Sequence, residues 1–124
     1  MASETLHEDP AILGPAVVDR HRAIVSVMEE LEAVDWYDQR AAATADDELR
    51  AVLTHNRDEE KEHAAMALEW LRRQDPVFDA HLRKYLFTEG PIGDREAIEA
   101  SAPAPEAPAN DDLAIGSLKM MAED

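Results

Sequence analysis

The sequence predicts an all-α fold, an antiparallel hairpin of two long helices with a short third helix, which dimerises into a four-helix bundle. Three observations carry this. Apolar residues recur at steps of three and four along two long stretches. Gly and Pro bracket those stretches and stay out of their interiors. At 124 residues there is room for one small domain, and two helices alone cannot surround a four-helix core, so the packing asks for a second copy.

Residues 1–14 are polar and hold Pro10 and Gly14, which predicts a flexible N-terminal arm. The helical domain is placed at 15–98. Its first helix runs from Pro15 to about Arg40, with Val17, Val18, Ile24, Val27, Met28, Leu31 and Val34 in helical spacing. Pro15 suits a helix start, where its missing N–H costs nothing. The Ala-rich stretch after Arg40 leads to Asp46 and Asp47 as capping residues. A second helix spans about Asp46 to Gln74, with Leu49, Val52, Leu53, Met66, Ala67, Trp70 and Leu71 on one side, and Asp75-Pro76 stops it. A third covers about Pro76 to Phe87 on the spacing of Phe78, Leu82, Tyr85 and Leu86, before Gly90-Pro91. Residues 99–112 turn to Ala, Pro and acid, a disordered linker. Beyond it lie an apolar peptide, Leu113 to Lys119, and a trailing tail at 120–124.

Charge narrows the function. The 28 acidic residues against 12 basic ones give a net charge of -16, which repels nucleic acid and anionic membrane surfaces and attracts cations. Partners are therefore expected to be metals or proteins, with no nucleic acid and no membrane. There is no cysteine, so a metal must sit on Glu, Asp, His or carbonyl oxygen, a donor set for hard or borderline ions. The opening Met1-Ala2-Ser3-Glu4 lacks a basic region and an apolar run, and no stretch of about 18 apolar residues occurs. A cytoplasmic start is expected.

The second helix carries Glu60 and His63, three apart and so on one face. Alone, such a pair is common on solvated helix faces. Here Leu53, Asn56, Glu60, His63, Ala67 and Leu71 make a stripe that is aliphatic at its ends and ionisable in the middle. Burying unpaired charge is costly, so the stripe implies partners or metal. In the first helix, Ala23, Val27, Glu30, Val34 and Tyr37 share a face and set a carboxylate among apolar neighbours. A ferritin-like di-iron bundle needs one Glu from each of two helices and Glu-x-x-His from each of the other two. This hairpin holds one of each, half of the set. Carboxylates bridge and charge-balance two irons, and imidazole suits Fe(II) while leaving positions open for O2.

Glu29, Glu32 and Asp35 beside Glu30 are candidates for an acidic funnel. His55, Glu59 and Glu62 have the spacing to hold a surface cation, and Tyr37 could hydrogen-bond and orient Glu30. His21 between Arg20 and Arg22 reads as an exposed basic patch, and His7 and His81 form no pattern.

At these residues the sequence closely resembles the encapsulated ferritins, along Met28 to Tyr37 and His55 to Met66, with Leu86 to Ile92 matching as well; the similarity spans roughly residues 18–92. The resemblance implies a ferroxidase that oxidises Fe(II) to Fe(III) with O2 at a di-iron centre shared by two subunits, two irons per dimer. It also implies a ring-shaped homodecamer of five dimers. Carried over, Glu30, Glu60 and His63 match the iron ligands and Tyr37 the tyrosine beside them. Glu29 and Glu32 match an acidic entrance site for metal, and His55, Glu59 and Glu62 a peripheral metal position; either could take Ca or another divalent cation. The family stores its oxidised iron in the lumen of an encapsulin nanocompartment, and Leu113 to Lys119 looks like the cargo-loading peptide that binds the shell protein.

On the residues alone two other readings stay open. One is an acidic hairpin dimer with Glu and His hydrogen-bonded across the seam. The other is a non-catalytic metal-binding or scaffolding protein in which Zn(II) or Ca(II) glues subunits and the tail recruits a partner.

Overall fold

Five helices make up the computed structural model, which describes residues 5–101: α1 (Pro10–Leu13), α2 (Pro15–Ala43), α3 (Asp47–Gln74), α4 (Pro76–Tyr85) and α5 (Asp94–Ser101). The apolar peptide, the tail and the linker from residue 102 lie outside the described residues. The chain separates into two compact units, one up to Arg83 and one from Lys84.

In the first unit, α2 and α3 are the predicted hairpin. Pro15 opens α2 directly after Gly14, whose φ of 84° lies in the left-handed region that glycine occupies without penalty. The helix runs to Ala43, a few residues past the expected Arg40, because Ala41, Ala42 and Ala43 are strong helix formers. Thr44 then turns extended. Asp46 caps α3, its side chain accepting from the Leu49 N–H at 2.9 Å. Acids in the first turn of α3 and Arg72 and Arg73 in the last complement the helix dipole. Asp75 ends α3 and starts α4, its carboxylate accepting from the N–H groups of Val77 and Phe78 at 3.0 and 3.1 Å.

The helices run antiparallel, each about 42 Å long at 1.5 Å per residue. Polar contacts between them fix the register. Near the turn, Arg50 of α3 donates to the Ala41 carbonyl at 3.1 Å and to the Thr44 carbonyl. Further along, Arg57 pairs with Asp38 at 2.9 Å. Past Glu30, Glu60 and His63, the residues Ile24, Val27, Met28, Leu68, Leu71 and Phe78 line an open groove of about 360 Å³. At the foot of the hairpin Arg72 joins Glu69 and Asp79, and its hydrogen bond to Glu69, followed by that of Arg73, lowers the Glu69 carboxyl to about 2.

Among the described residues the buried apolar side chains are Ala41, Ala64 and Leu71. Much of the apolar side expected of α3 stays exposed, including Leu49, Val52, Met66 and Trp70, as do Ile24, Leu31 and Trp36 on α2. The hairpin has a seam and an uncovered surface. None of the described helices is long and apolar enough to cross a membrane.

Two helices go beyond those predicted from spacing. The one-turn α1 falls within the stretch expected to be a flexible arm; Asp9 caps it by accepting from the Ala11 N–H at 2.9 Å, and Pro10 stands at its start. In the second unit α5 extends to Ser101, into the stretch expected to begin the linker. The third helix ends at Tyr85, short of the expected Phe87, because Phe87 takes a φ of 60°, outside the helical region. Thr88 donates back to the Tyr85 carbonyl at 2.8 Å, and Arg95 donates to the Lys84 carbonyl at 3.4 Å.

Candidate metal centre

The inward stripes of α2 and α3 meet midway along the hairpin. Glu30 comes from α2 and Glu60 with His63 from consecutive turns of α3, and each offers a ligand atom within 4.8 Å of the other two. His63 Nδ1 lies 3.1 Å from Glu60 Oε1 and 3.6 Å from Glu30 Oε1. Side-chain exposures are 28% for Glu30, 24% for Glu60 and 43% for His63. The site is therefore recessed in the seam but open on one side.

Its electrostatics are those of crowded ionisable groups. A side-chain hydrogen bond with Glu60 holds the Glu30 carboxyl above the usual carboxylate range; partial burial and the Glu60 charge push the same way, and His63 opposes them. The same bond, followed by the one from His63, holds Glu60 below that range. His63 is raised, first by its hydrogen bond to Glu60. Two carboxylates are thus crowded together beside an imidazole, and a divalent cation would neutralise both. Two carboxylates and an imidazole fit a hard or borderline ion such as Fe(II).

The other expected positions do not join this cluster. Glu29, Glu32 and Asp35 are exposed on α2, where Asp35 accepts from Gln39 at 3.1 Å. His55 and Glu59 pair at 3.4 Å on the outer side of α3, while Glu62 lines a shallow surface groove with Met66 and Trp70. Tyr37 is half-buried and carries the Arg40 guanidinium 5.6 Å above its ring. His21 is half-buried, less open than the patch reading expected, and His7 and His81 are exposed.

One feature beside the centre escaped the sequence reading. Arg57 binds Asp38 across the hairpin and Asp58 on its own helix at 3.1 Å. The usable signal was register: once Glu30 is set opposite Glu60 and His63, an antiparallel hairpin brings Asp38 opposite Arg57.

A family model described as EncFtn-like matches residues 5–89. The chain belongs to the EncFtn-like family. It is 58% identical to the encapsulated ferritin-like protein of Rhodospirillum rubrum, over 95% of this chain and 90% of that one. It is 36% identical to the encapsulin nanocompartment cargo protein EncC of Myxococcus xanthus, over 77% and 80% of the two lengths. Among solved structures, a crystal structure of a protein from Nitrosomonas europaea superposes with a TM-score of 0.68 at 60% identity, covering 70% of this chain and 96% of that one. This EncFtn-like chain has the all-α, ferritin-like fold expected of it, and its candidate metal-binding group lies within the matched region.

Proposed function

We propose that this EncFtn-like chain is a ferroxidase whose di-iron centre is completed by a second copy, and that it works as cargo of an encapsulin shell. The observation that carries the reading is the convergence of Glu30, Glu60 and His63 on the open side of the hairpin. One Glu from one helix and Glu-x-x-His from the other make half of the four-helix ligand set, so a two-fold partner supplies the rest. Fe(II) is the substrate. Exposed Glu29 and Glu32 raise its local concentration, and His55, Glu59 and Glu62 offer a peripheral cation position. At the centre, Glu30 and Glu60 from both copies would hold two irons, with His63 as a ligand from each, and O2 would accept the electron that each Fe(II) loses on becoming Fe(III). Tyr37, two turns along the same face from Glu30, orients a ligating carboxylate. Ferric product passes to the lumen of the shell, to which Leu113 to Lys119 tethers the enzyme, and five dimers form the ring suggested by resemblance.

Purified protein given Fe(II) in air should form ferric product, with about one iron bound per chain. Glu60→Ala and His63→Ala should each lower the initial rate at least about tenfold. Variants that oxidise iron as fast as the parent, or complete binding by a monomer, would sink the assignment; stoichiometric binding without oxidation would favour metal that only glues subunits. Deleting residues 113–124 should abolish co-purification with a shell protein and leave iron oxidation intact. Loss of both together would contradict the separation of tether from centre.

A further inference from the structure

Arg57 precedes Glu60 by one turn on the same face of α3. Helical side chains lean toward the N-terminus, so the Glu60 carboxylate leans over the turn that holds Arg57. A guanidinium is permanently charged and matches a carboxylate in bidentate geometry. Left free, Arg57 would be both a competing partner for Glu60 and a positive charge beside a cation site. It is not left free. Its Nη1 donates to Asp38 Oδ1 at 2.9 Å and its Nε to Asp58 Oδ1 at 3.1 Å. The Arg57 side chain is only 25% exposed, pinned across the seam. Asp58 also pairs with Lys61 at 3.3 Å, so Asp38 is the acid directed to Arg57 from the opposite helix.

We propose that Asp38 is a positioning residue that draws the Arg57 guanidinium away from Glu60 and so keeps the α3 ligand pair available to an incoming cation. The inference rests on the metal-centre reading above and deepens it: occupancy of the centre depends on an acid that does not touch metal. Replacing Asp38 releases Arg57 toward Glu60, and divalent binding weakens because the cation must then displace a guanidinium. A simple helix-to-helix staple behaves differently, since loss of either end would then do equal harm.

Co(II), followed by its absorption spectrum on the full chain, separates the two. Asp38→Asn should bind Co(II) about fivefold more weakly, the scale of one partly exposed ion pair. Arg57→Gln should bind at least as tightly as the parent, and the double variant should return to the Arg57→Gln value. Asp38→Glu should stay within about twofold of the parent, with helix content by circular dichroism unchanged throughout. The inference falls if Asp38→Asn binds like the parent, if Arg57→Gln is as weak as Asp38→Asn, or if the double variant stays weak. Glu60→Gln marks which reading has failed. If it binds Co(II) as tightly as the parent, the ligand set itself is wrong; if it loses Co(II) while Asp38→Asn keeps it, only the role of Asp38 is lost.

Discussion

Glu30 and Glu60 lie close together across the hairpin, with His63 Nδ1 at 3.6 and 3.1 Å from them. This arrangement sets the pH response of the centre. His63 is raised above its ordinary 6.5 by its hydrogen bond to Glu60, and Glu30 is raised by its own bond to the same group. A cation needs the imidazole neutral and both carboxylates ionised, so binding expels protons. Affinity for Co(II) should therefore climb with pH, weakest below the ordinary histidine value and levelling off once the pH passes the raised value of His63. Titrations between about pH 5.5 and about pH 8.5 test this, and His63→Gln should remove the upper part of the rise. A flat profile would mean that these groups do not bind the ion. The three residues were legible from spacing alone, because a carboxylate inside an apolar stripe is a local pattern. The close approach of Glu30 to Glu60 was not, since they lie on different helices.

At the scale of elements, α3 matters most because it carries two of the three proposed ligands. Its start depends on Asp46, whose side chain satisfies the Leu49 N–H. Asp46→Ala should cost about 1 kcal/mol in thermal or denaturant unfolding. Several turns separate this cap from Glu60 and His63, so Co(II) affinity should hold. Unchanged stability would mean that Arg50, which ties α3 to the last carbonyls of α2, is what secures this end. The long helices were readable because many turns of periodic apolar residues average out local exceptions. The two short ones were not. One turn offers no period to detect at α1, although Asp9-Pro10 is a start signal in plain view. In α5 the sequence Asp94-Arg95-Glu96-Ala97 is rich in helix formers, but a single large apolar residue, Ile98, is too little to mark a face.

At the scale of the whole molecule, a hairpin that buries only Ala41, Ala64 and Leu71 among its described apolar residues lacks the core a stable domain needs. Isolated helices gain most of their stability from tertiary packing, and here the uncovered apolar surface of α2 and α3 waits for it. If a second copy covers it, stability is linked to association. Raising protein concentration about a hundredfold should lift the melting temperature by several degrees, and Fe(II) or Co(II) should lift it further. A concentration-independent melt at monomer mass would rule out a shared centre.

The residues by themselves determined the helical hairpin, its approximate ends and the identities of Glu30, Glu60 and His63, because helical period and ligand spacing are properties of neighbouring positions. Resemblance along Met28 to Tyr37 and His55 to Met66 added the family, which the match over residues 5–89 bears out. Only the tertiary structure decided what crosses from one helix to the other: the distances within the Glu30, Glu60 and His63 cluster, the Arg57–Asp38 bridge, and the exposure of Val52, Met66 and Trp70, which periodicity had placed on one apolar side. Period says which residues share a face. Which faces meet, and which stay open, depends on contacts between residues far apart in the chain.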